Sequence, residues 1–139
     1  MAPGKPIYQL KVTLRGSRPP IWRRILVLGD ITLYQLHRII QVVMAWTESH
    51  LHQFRRGNID YGASDPEFGV KRQNERRVRP YEVLQKPKDR MGYEYDFGDG
   101  WEHDVLLEEI CSPRRAARYP QVLAGKRACP PEDVGGIGG

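Results

Sequence analysis

The feature that most constrains the fold is an aromatic stretch at residues 93–103, Tyr-Glu-Tyr-Asp-Phe-Gly-Asp-Gly-Trp-Glu-His. Asp99 and its flanking glycines predict a tight β-hairpin, because both residue types tolerate the positive φ that such turns require. Side chains alternate between the two faces of a strand, so one face is apolar and the other acidic. The apolar face comprises Tyr93, Tyr95, Phe97, Trp101, His103, Val105 and Leu107, and the acidic face comprises Glu94, Asp96, Glu102, Asp104 and Glu108. We expect the aromatic face to be buried and the carboxylates to face water.

A second hairpin is predicted near the start of the chain. Residues 7–14 alternate between apolar and polar side chains, residues 16–20 form a Gly-Ser-Arg-Pro-Pro break, and residues 21–28 resume a β-branched and aromatic pattern. Trp22, beside Arg23 and Arg24, could stack on a nucleic-acid base. An aromatic side chain in a strand is more often part of sheet packing, and we favour that interpretation.

One main helix is predicted to begin near Leu33. Thr32 and Gln35 have the spacing of a capping box, in which each side chain satisfies a backbone amide at the helix start. The helix is expected to end around Trp46, with His37 and Arg38 exposed. Its apolar stripe consists of Leu33, Leu36, Ile39, Ile40, Val43 and Met44, as expected for a helix packed on a sheet.

A short strand is predicted at residues 50–55, where the period of two places His50 and His52 on one side. Two imidazoles on one strand face can bind a metal, and the alternative is a pair of histidines hydrogen-bonded at a sheet edge. Further on, the signals indicate a brief strand at residues 59–61, a helical turn starting at Pro80, an exposed connector at 112–120 and an irregular tail from Cys129. We therefore predict a single α+β domain over residues 1–139, with a mixed or antiparallel sheet built from two hairpins and a short strand, and one main helix.

Composition limits the class of protein. No apolar run is long enough to span a bilayer and the first residues lack the core of a signal peptide, so a cytoplasmic protein without a membrane partner is expected. Cys111 and Cys129 are too few for a disulfide framework or a paired zinc motif, which indicates a reducing compartment and leaves a single disulfide open.

The formal net charge of +5 is distributed in blocks. Residues 71–90 and 113–127 are basic, whereas residues 93–109 are acidic and contain no Lys or Arg. The basic blocks could form a surface for nucleic acid. We favour the alternative that the blocks are solvated or partly neutralise each other in the fold.

Several motifs together resemble the plasmid pRiA4b open-reading-frame-three-like family. They are Pro20-Ile21-Trp22-Arg23-Arg24, Leu36-His37 with Ile40-Gln41 and Trp46, the His-Leu-His-Gln-Phe run at 50–54, residues 95–103, and Cys129-Pro130-Pro131-Glu132-Asp133 with Gly135-Gly136. The resemblance covers nearly the whole chain.

The resemblance implies an α+β fold, in a family associated with plasmids and mobile elements. It also implies that this chain stops early, because members usually continue past the glycine-rich segment, and that Val134 stands where a cysteine is common. Some members carry resolvase-like labels, but the four serines here lie in turn-like contexts without a catalytic setting. We therefore assign no catalytic residue.

Two functional hypotheses follow. The first is an interaction module that binds nucleic acid, another polyanion or a protein partner, with Arg23, Arg24, Asp96, Trp101, Glu132 and Asp133 as candidate binding residues. The second is a metal-dependent enzyme or metal-binding protein, in which a divalent metal is held by His50, His52, Asp99 and His103, with the Glu132 and Asp133 loop nearby. A homodimer is a further expectation, because an early end to the chain would expose apolar surface.

Overall fold

The computed structural model describes residues 5–48, 50–63 and 72–126. These residues form one eight-stranded sheet with two helices on one of its faces. In chain order the elements are β1 Ile7–Leu14, β2 Ile21–Leu28, α1 Leu33–Val43, β3 His52–Arg56, β4 Ile59–Gly62, β5 Gln73–Asn74, α2 Pro80–Val83, β6 Arg90–Tyr95, β7 Trp101–Cys111 and β8 Gln121–Lys126. The strand order is β5-β4-β3-β6-β7-β1-β2-β8, and its neighbouring pairs are antiparallel except for the parallel pair of β4 and β5.

The sheet is larger than the one that the sequence pattern predicts. β1 pairs with β2 and β6 pairs with β7, but β4, β5 and β8 extend the sheet at both edges. β5 has two residues and β8 contains the small residues Ala124 and Gly125, so neither segment shows the alternation that marks a strand. The predicted sheet of two hairpins and one short strand therefore has too few strands.

The aromatic stretch pairs across β6 and β7, with Tyr95 opposite Trp101 and Tyr93 opposite His103. All four of these side chains are buried. Phe97 was expected in the buried row, but it lies in the turn after β6 and is 38% exposed. A strand must end where the chain reverses, so the alternation stops at Tyr95.

Asp96, and not Asp99, organises this turn. Its φ is 58°, its carbonyl accepts a hydrogen bond from Gly100 N at 2.6 Å, and its carboxylate accepts from Gly98 N at 3.1 Å and Asp99 N at 3.3 Å. An aspartate can adopt positive φ when its short side chain bonds to nearby backbone amides. The Asp96 side chain points back into the turn and is only 8% exposed. The prediction that it lies on the solvent-exposed acidic face is wrong.

Helix α1 begins as predicted and ends earlier. The Thr32 side chain accepts from Gln35 N at 3.0 Å and Gln35 Oε1 accepts from Thr32 N at 2.8 Å, which confirms the capping box. The helix ends at Val43 because Ala45, two residues later, adopts a left-handed φ of 60°. Trp46 lies beyond the helix and folds back onto the sheet.

Replacing Thr32 with Ala is expected to lower the free energy of unfolding by about 1 kcal/mol, because Gln35 N loses its acceptor at the helix start. Chemical denaturation measures this change. Thr32→Ser is the matched control, since the serine hydroxyl keeps the bond. Equal losses in the two variants would contradict a capping role.

Candidate functional site

All four histidines of the chain belong to the side of the sheet that α1 covers. One is on α1, one lies two residues before β3, one is the first residue of β3, and one is on β7. The sequence pattern assigned His37 to the exposed face of the helix, but its side chain is 2% exposed. The histidines are His37, His50, His52 and His103.

A closed ring of hydrogen bonds surrounds His37. Its Nδ1 lies 2.7 Å from the Tyr93 hydroxyl and its Nε2 lies 3.0 Å from Glu48 Oε1. Gln41 Nε2 donates to the same hydroxyl at 2.9 Å, and Gln41 Oε1 accepts from Glu48 N at 2.9 Å. Because a carboxylate only accepts, Nε2 of His37 carries the proton and the tyrosine O–H donates to Nδ1. The ring ties the helix, the residues after it and β6 together.

His52 stacks on His37 from the sheet side. The two ring centroids are 3.4 Å apart with an interplanar angle of 5°, and His52 Nε2 lies 2.6 Å from Glu75 Oε1. Burial, and then the neighbouring His52 and Arg38, lower the pKa of His37 to about 3. The protonated form is therefore excluded near neutral pH, and α1 rests on an uncharged imidazole.

Burial also controls the ionisation of Tyr93, whose hydroxyl joins the ring. The side chain is 1% exposed, and desolvation raises the pKa of the phenol well above its usual value. A phenol that stays protonated and is closed off from solvent cannot reach a substrate as a nucleophile. The hydrogen-bonded ring therefore has a structural role, in which it holds α1 against the sheet.

An aromatic cluster continues from this ring toward the β6–β7 turn. The Trp46 ring lies 5.2 Å from Tyr95, 5.5 Å from Trp101 and 5.3 Å from His103, measured between centroids. His103 Nδ1 lies 3.2 Å from the Tyr93 carbonyl. Burial lowers the pKa of His103 to about 4, so this imidazole is also neutral. Trp101, a candidate binding residue, is fully buried in this cluster and offers no surface to a ligand.

His50 lies at the rim of the cluster and faces the turn. Its Nε2 is 3.5 Å from Asp96 Oδ2, and its ring is edge-on to Tyr95 at 5.8 Å. Each predicted metal-binding histidine contacts a different group: His50 faces Asp96, His52 faces Glu75, and His103 faces the Tyr93 carbonyl. Asp99 follows in the turn itself.

No group of three or more His, Cys, Asp or Glu side chains is placed to hold a metal ion within the described part of the chain. Glu132 and Asp133 lie outside the described residues, as does Cys129. A divalent metal held with their help stays a prediction. Cys111, at the end of β7, is a free cysteine.

The two candidate binding arginines of β2 both contact other parts of the protein. Arg23 donates from Nε to the Val43 carbonyl at 3.0 Å and from Nη1 to the Lys126 carbonyl at 3.1 Å, so it joins the end of α1 to β8. Arg24 holds Glu108 through two hydrogen bonds of 2.7 and 3.0 Å. Trp22 lies between cations on the helix-free face, 4.8 Å from Lys11 Nζ and 5.0 Å from Arg24 Cζ.

The pairing of Arg24 belongs to a wider distribution of charge. Arg15 forms an ion pair with Asp104 at 2.8 Å, and Arg24 forms one with Glu108. Part of the acidic block on β7 is therefore neutralised by arginines of the first hairpin. The basic blocks do not supply these partners. No ion pair is found for Arg77, Arg114, Arg115 or Arg118 within the described residues.

An apolar groove lies between α1 and the edge of the sheet at β8. Its volume is about 660 Å³, which is in the range of ligand pockets. The groove is lined by Ile25, Leu28, Ile31, Gln35, Arg38, Ile39, Val42, Val43, Tyr119, Pro120, Gln121 and Val122. A third of its lining residues come from β8 and the connector before it, which the sequence pattern did not assign to the sheet.

The sequence did contain a signal for the buried histidine. His37 and Gln41 continue the series Leu33, Leu36, Ile40 and Met44 at intervals of three and four, which is the spacing of the buried face of a helix. Their polarity obscured this placement. Glu48, Glu75 and the acceptor role of Tyr93 had no sequence signal, because each depends on contacts between distant segments.

No helix among the described residues is long and apolar enough to cross a membrane.

Comparisons with known proteins find a family model, a relative and a solved structure that resemble this chain. The model of the plasmid pRiA4b ORF-3-like protein family matches residues 6–139. The uncharacterized protein y4hQ of Sinorhizobium fredii (strain NBRC 101917 / NGR234) is 40% identical over 131 residues, which are 94% of this chain and 67% of that protein. The crystal structure of MM3350 from Methanosarcina mazei Go1, a protein of unknown function, has a TM-score of 0.86 and 38% identity, covering 96% of this chain and 76% of that one. This chain therefore belongs to the plasmid pRiA4b ORF-3-like family.

Proposed function

We propose that this protein is an interaction module that binds an acidic polypeptide segment with apolar side chains in the groove between α1 and β8. The observation that carries the proposal is the groove itself, whose lining side chains are mostly aliphatic. Aliphatic walls favour the burial of apolar side chains of a partner.

The surface around the groove is apolar and accessible. Val42 on α1 is 77% exposed, and Val122 and Leu123 on β8 are 59% and 46% exposed. An isolated apolar side chain on a surface is ordinary, but exposed apolar side chains that line a groove are typical of an interaction site. Val42 and Val122 line the groove itself, and Leu123 follows Val122 on β8.

The edge strand offers backbone groups to a partner. β8 is the last strand of the sheet and pairs with β2 on its inner side. Its other side has no neighbouring strand among the described residues. An extended peptide can add to such an edge through backbone hydrogen bonds, while neighbouring pockets accept alternate side chains.

Charge indicates the nature of the partner. Arg38 lines the groove and lies 3.6 Å from Glu48 Oε2. Arg114, Arg115 and Arg118 come shortly before Tyr119 in the chain and have no ion pair among the described residues. A basic rim favours an acidic partner and disfavours a second copy of this chain, whose own rim is equally basic. Nucleic acid fits less well, because bases stack on aromatic rings and Tyr119 is the single aromatic residue in the wall.

Fluorescence anisotropy with labelled peptides tests the proposal. The probe is an extended peptide of alternating leucine and glutamate, compared with one in which glutamine replaces glutamate, one in which serine replaces leucine, and a single-stranded oligothymidylate of similar length. We expect the leucine–glutamate peptide to bind most tightly and its affinity to fall with salt. Tighter binding of the oligothymidylate, or equal binding of all peptides, would overturn the proposal.

Matched variants locate the binding surface. Val42→Glu and Val122→Glu place a carboxylate in the groove at exposed positions. We expect each variant to bind the leucine–glutamate peptide about tenfold or more weakly than the parent does. Ile59→Glu is the control, because Ile59 is 43% exposed on β4 near the opposite edge of the sheet. Arg118→Ala is expected to weaken binding more at low salt than at high salt. Concentration-dependent mass in sedimentation without peptide would instead identify a second copy as the occupant.

A further inference from the structure

A polar hollow lies on the helix-free face of the sheet, away from the groove. It is centred on Gly92 of β6, which has Arg55 of β3 on one side and Asp104 of β7 on the other. The hollow has a volume of about 290 Å³, close to the lower end for small-molecule sites. The hollow exists because Gly92 has no side chain, whereas Arg55 and Asp104, its neighbours across the sheet, do. A glycine inside a strand often marks a place where a ligand approaches the backbone closely.

Two arginines flank the hollow and are held in place by carboxylates. Arg15 donates from Nε and Nη2 to Asp104 Oδ1 at 3.0 and 2.8 Å, and Arg55 donates from Nε and Nη2 to Asp60 at 2.6 and 3.3 Å. A guanidinium has five donors, so each arginine keeps Nη1 donors outside these hydrogen bonds, with Arg15 Nη1 also 3.9 Å from Glu102 Oε2. Fixed guanidinium groups on both sides of Gly92 form a site prepared for an anionic group.

Two carboxylates face each other in the next row of the sheet. Glu94 of β6 is directly opposite Glu102 of β7, and like charges at this position destabilise a sheet. Gln53 Nε2 donates to Glu94 at 3.2 Å, while Glu102 is 3.9 Å from Arg15 Nη1. Glu94 also interacts electrostatically with Arg55, and Glu102 has its arginine only at the outer limit of an ion pair, so a cation between the two carboxylates would add stabilisation.

We propose that the Gly92 hollow binds a small extended zwitterion of the ω-amino acid class, with its carboxylate over Gly92 between Arg15 and Arg55 and its ammonium between Glu94 and Glu102. The two rows are two residues apart along β6, which is about 7 Å. A ligand with adjacent charges cannot reach both rows, whereas an amine and a carboxylate separated by a short aliphatic chain can.

Titration of ¹⁵N-labelled protein, followed by amide chemical shifts, tests this site with a homologous series. The probes are glycine, γ-aminobutyrate and 5-aminopentanoate, with pentanoate and pentylamine carrying one charge each. We expect 5-aminopentanoate to shift the Gly92 amide at concentrations up to about 10 mM and to bind about tenfold or more tightly than glycine or either singly charged probe. Absence of a shift with 5-aminopentanoate, or equal binding of glycine, would overturn the proposal.

Gly92→Val fills the hollow without disturbing the backbone. A Cβ at this position meets nothing closer than 3.8 Å, and valine favours a strand, so we expect an unchanged or raised melting temperature together with loss of binding. Thr13→Val on β1 is the matched control, on the same face but outside the hollow, and it should bind as the parent does. Glu94→Gln should lower the affinity for 5-aminopentanoate and leave the affinity for pentanoate unchanged. Parent-like binding by Gly92→Val would contradict the location of the site.

Discussion

Acidification from pH 7 to about 5 is expected to destabilise this protein before most of its carboxylates titrate. His37 and His103 are buried and neutral, and burial is the main cause that lowers their pKa values to about 3 and about 4 from the ordinary 6.5. The unfolded chain takes up protons on these imidazoles below pH 6.5, whereas the folded chain does not until the pH approaches 4. The folded state therefore loses stability as the pH falls through this window.

The expected size of this effect is large. A shift of one unit corresponds to about 1.4 kcal/mol, so full protonation in the unfolded chain would cost roughly 5 kcal/mol at His37 and roughly 3 kcal/mol at His103. Their sum is comparable with the whole stability of a domain, which is about 5 to 15 kcal/mol. The free energy of unfolding should therefore fall steeply between pH 6.5 and pH 4. The loss is complete once the pH is below the pKa values of the two histidines in the folded state.

Urea denaturation at half-unit intervals from pH 7.5 to pH 5 measures the slope. His103→Gln and His37→Gln are expected to be less stable at pH 7 and to show a shallower slope, because one titrating group is removed in each. Thr32→Ala serves as the control, since it lowers stability without removing a histidine. If His37→Gln kept the slope of the parent, the assignment of His37 as a neutral buried imidazole would be wrong.

Removing a single oxygen atom from Tyr93 is expected to lower the free energy of unfolding by about 2 to 4 kcal/mol. The hydroxyl donates to His37 Nδ1 and accepts from Gln41 Nε2, so Tyr93→Phe leaves a buried acceptor and a buried donor without partners. Each unsatisfied group costs about 1 to 3 kcal/mol. The loss should exceed that of a typical surface substitution several times over.

A double-mutant cycle separates this ring from simple packing. Gln41→Leu removes the donor that Tyr93→Phe leaves unpaired, so the double variant should be less destabilised than the sum of the single variants. Tyr8→Phe is the matched control, because its hydroxyl is also buried but bonds to one partner, the Leu84 carbonyl, at 2.6 Å. Additive losses at Tyr93 and Gln41 would show that the two side chains do not share one hydrogen-bonded ring.

The sequence predicted the elements whose signals are local. The Thr32 and Gln35 capping box, the helical turn at Pro80 and the buried aromatic row of β6 and β7 depend on residues within a few positions of one another. Spacing alone was therefore enough for them. The expected neutralisation between the charge blocks does not occur at Asp104 and Glu108, because their partners, Arg15 and Arg24, lie outside the two basic blocks.

The partners of these charges could not be read from the chain. Arg15 and Arg24 are separated from Asp104 and Glu108 by more than eighty positions, and they meet because β1 pairs with β7 on one side and with β2 on the other. The same reason applies to His37, which is buried because Tyr93 and Glu48 satisfy both of its ring nitrogens. Burial of a polar side chain depends on whether distant groups supply its hydrogen bonds.

The sequence by itself determined the α+β class, the start of the helix and the family. The tertiary structure alone decided where the groove and the hollow lie. The groove needs α1 beside β8, and the Gly92 hollow needs arginines from the turn after β1 and from β3 on either side of β6. Local patterns specify backbone conformation because they act over a few residues, whereas a binding surface requires the strand order that brings distant side chains together.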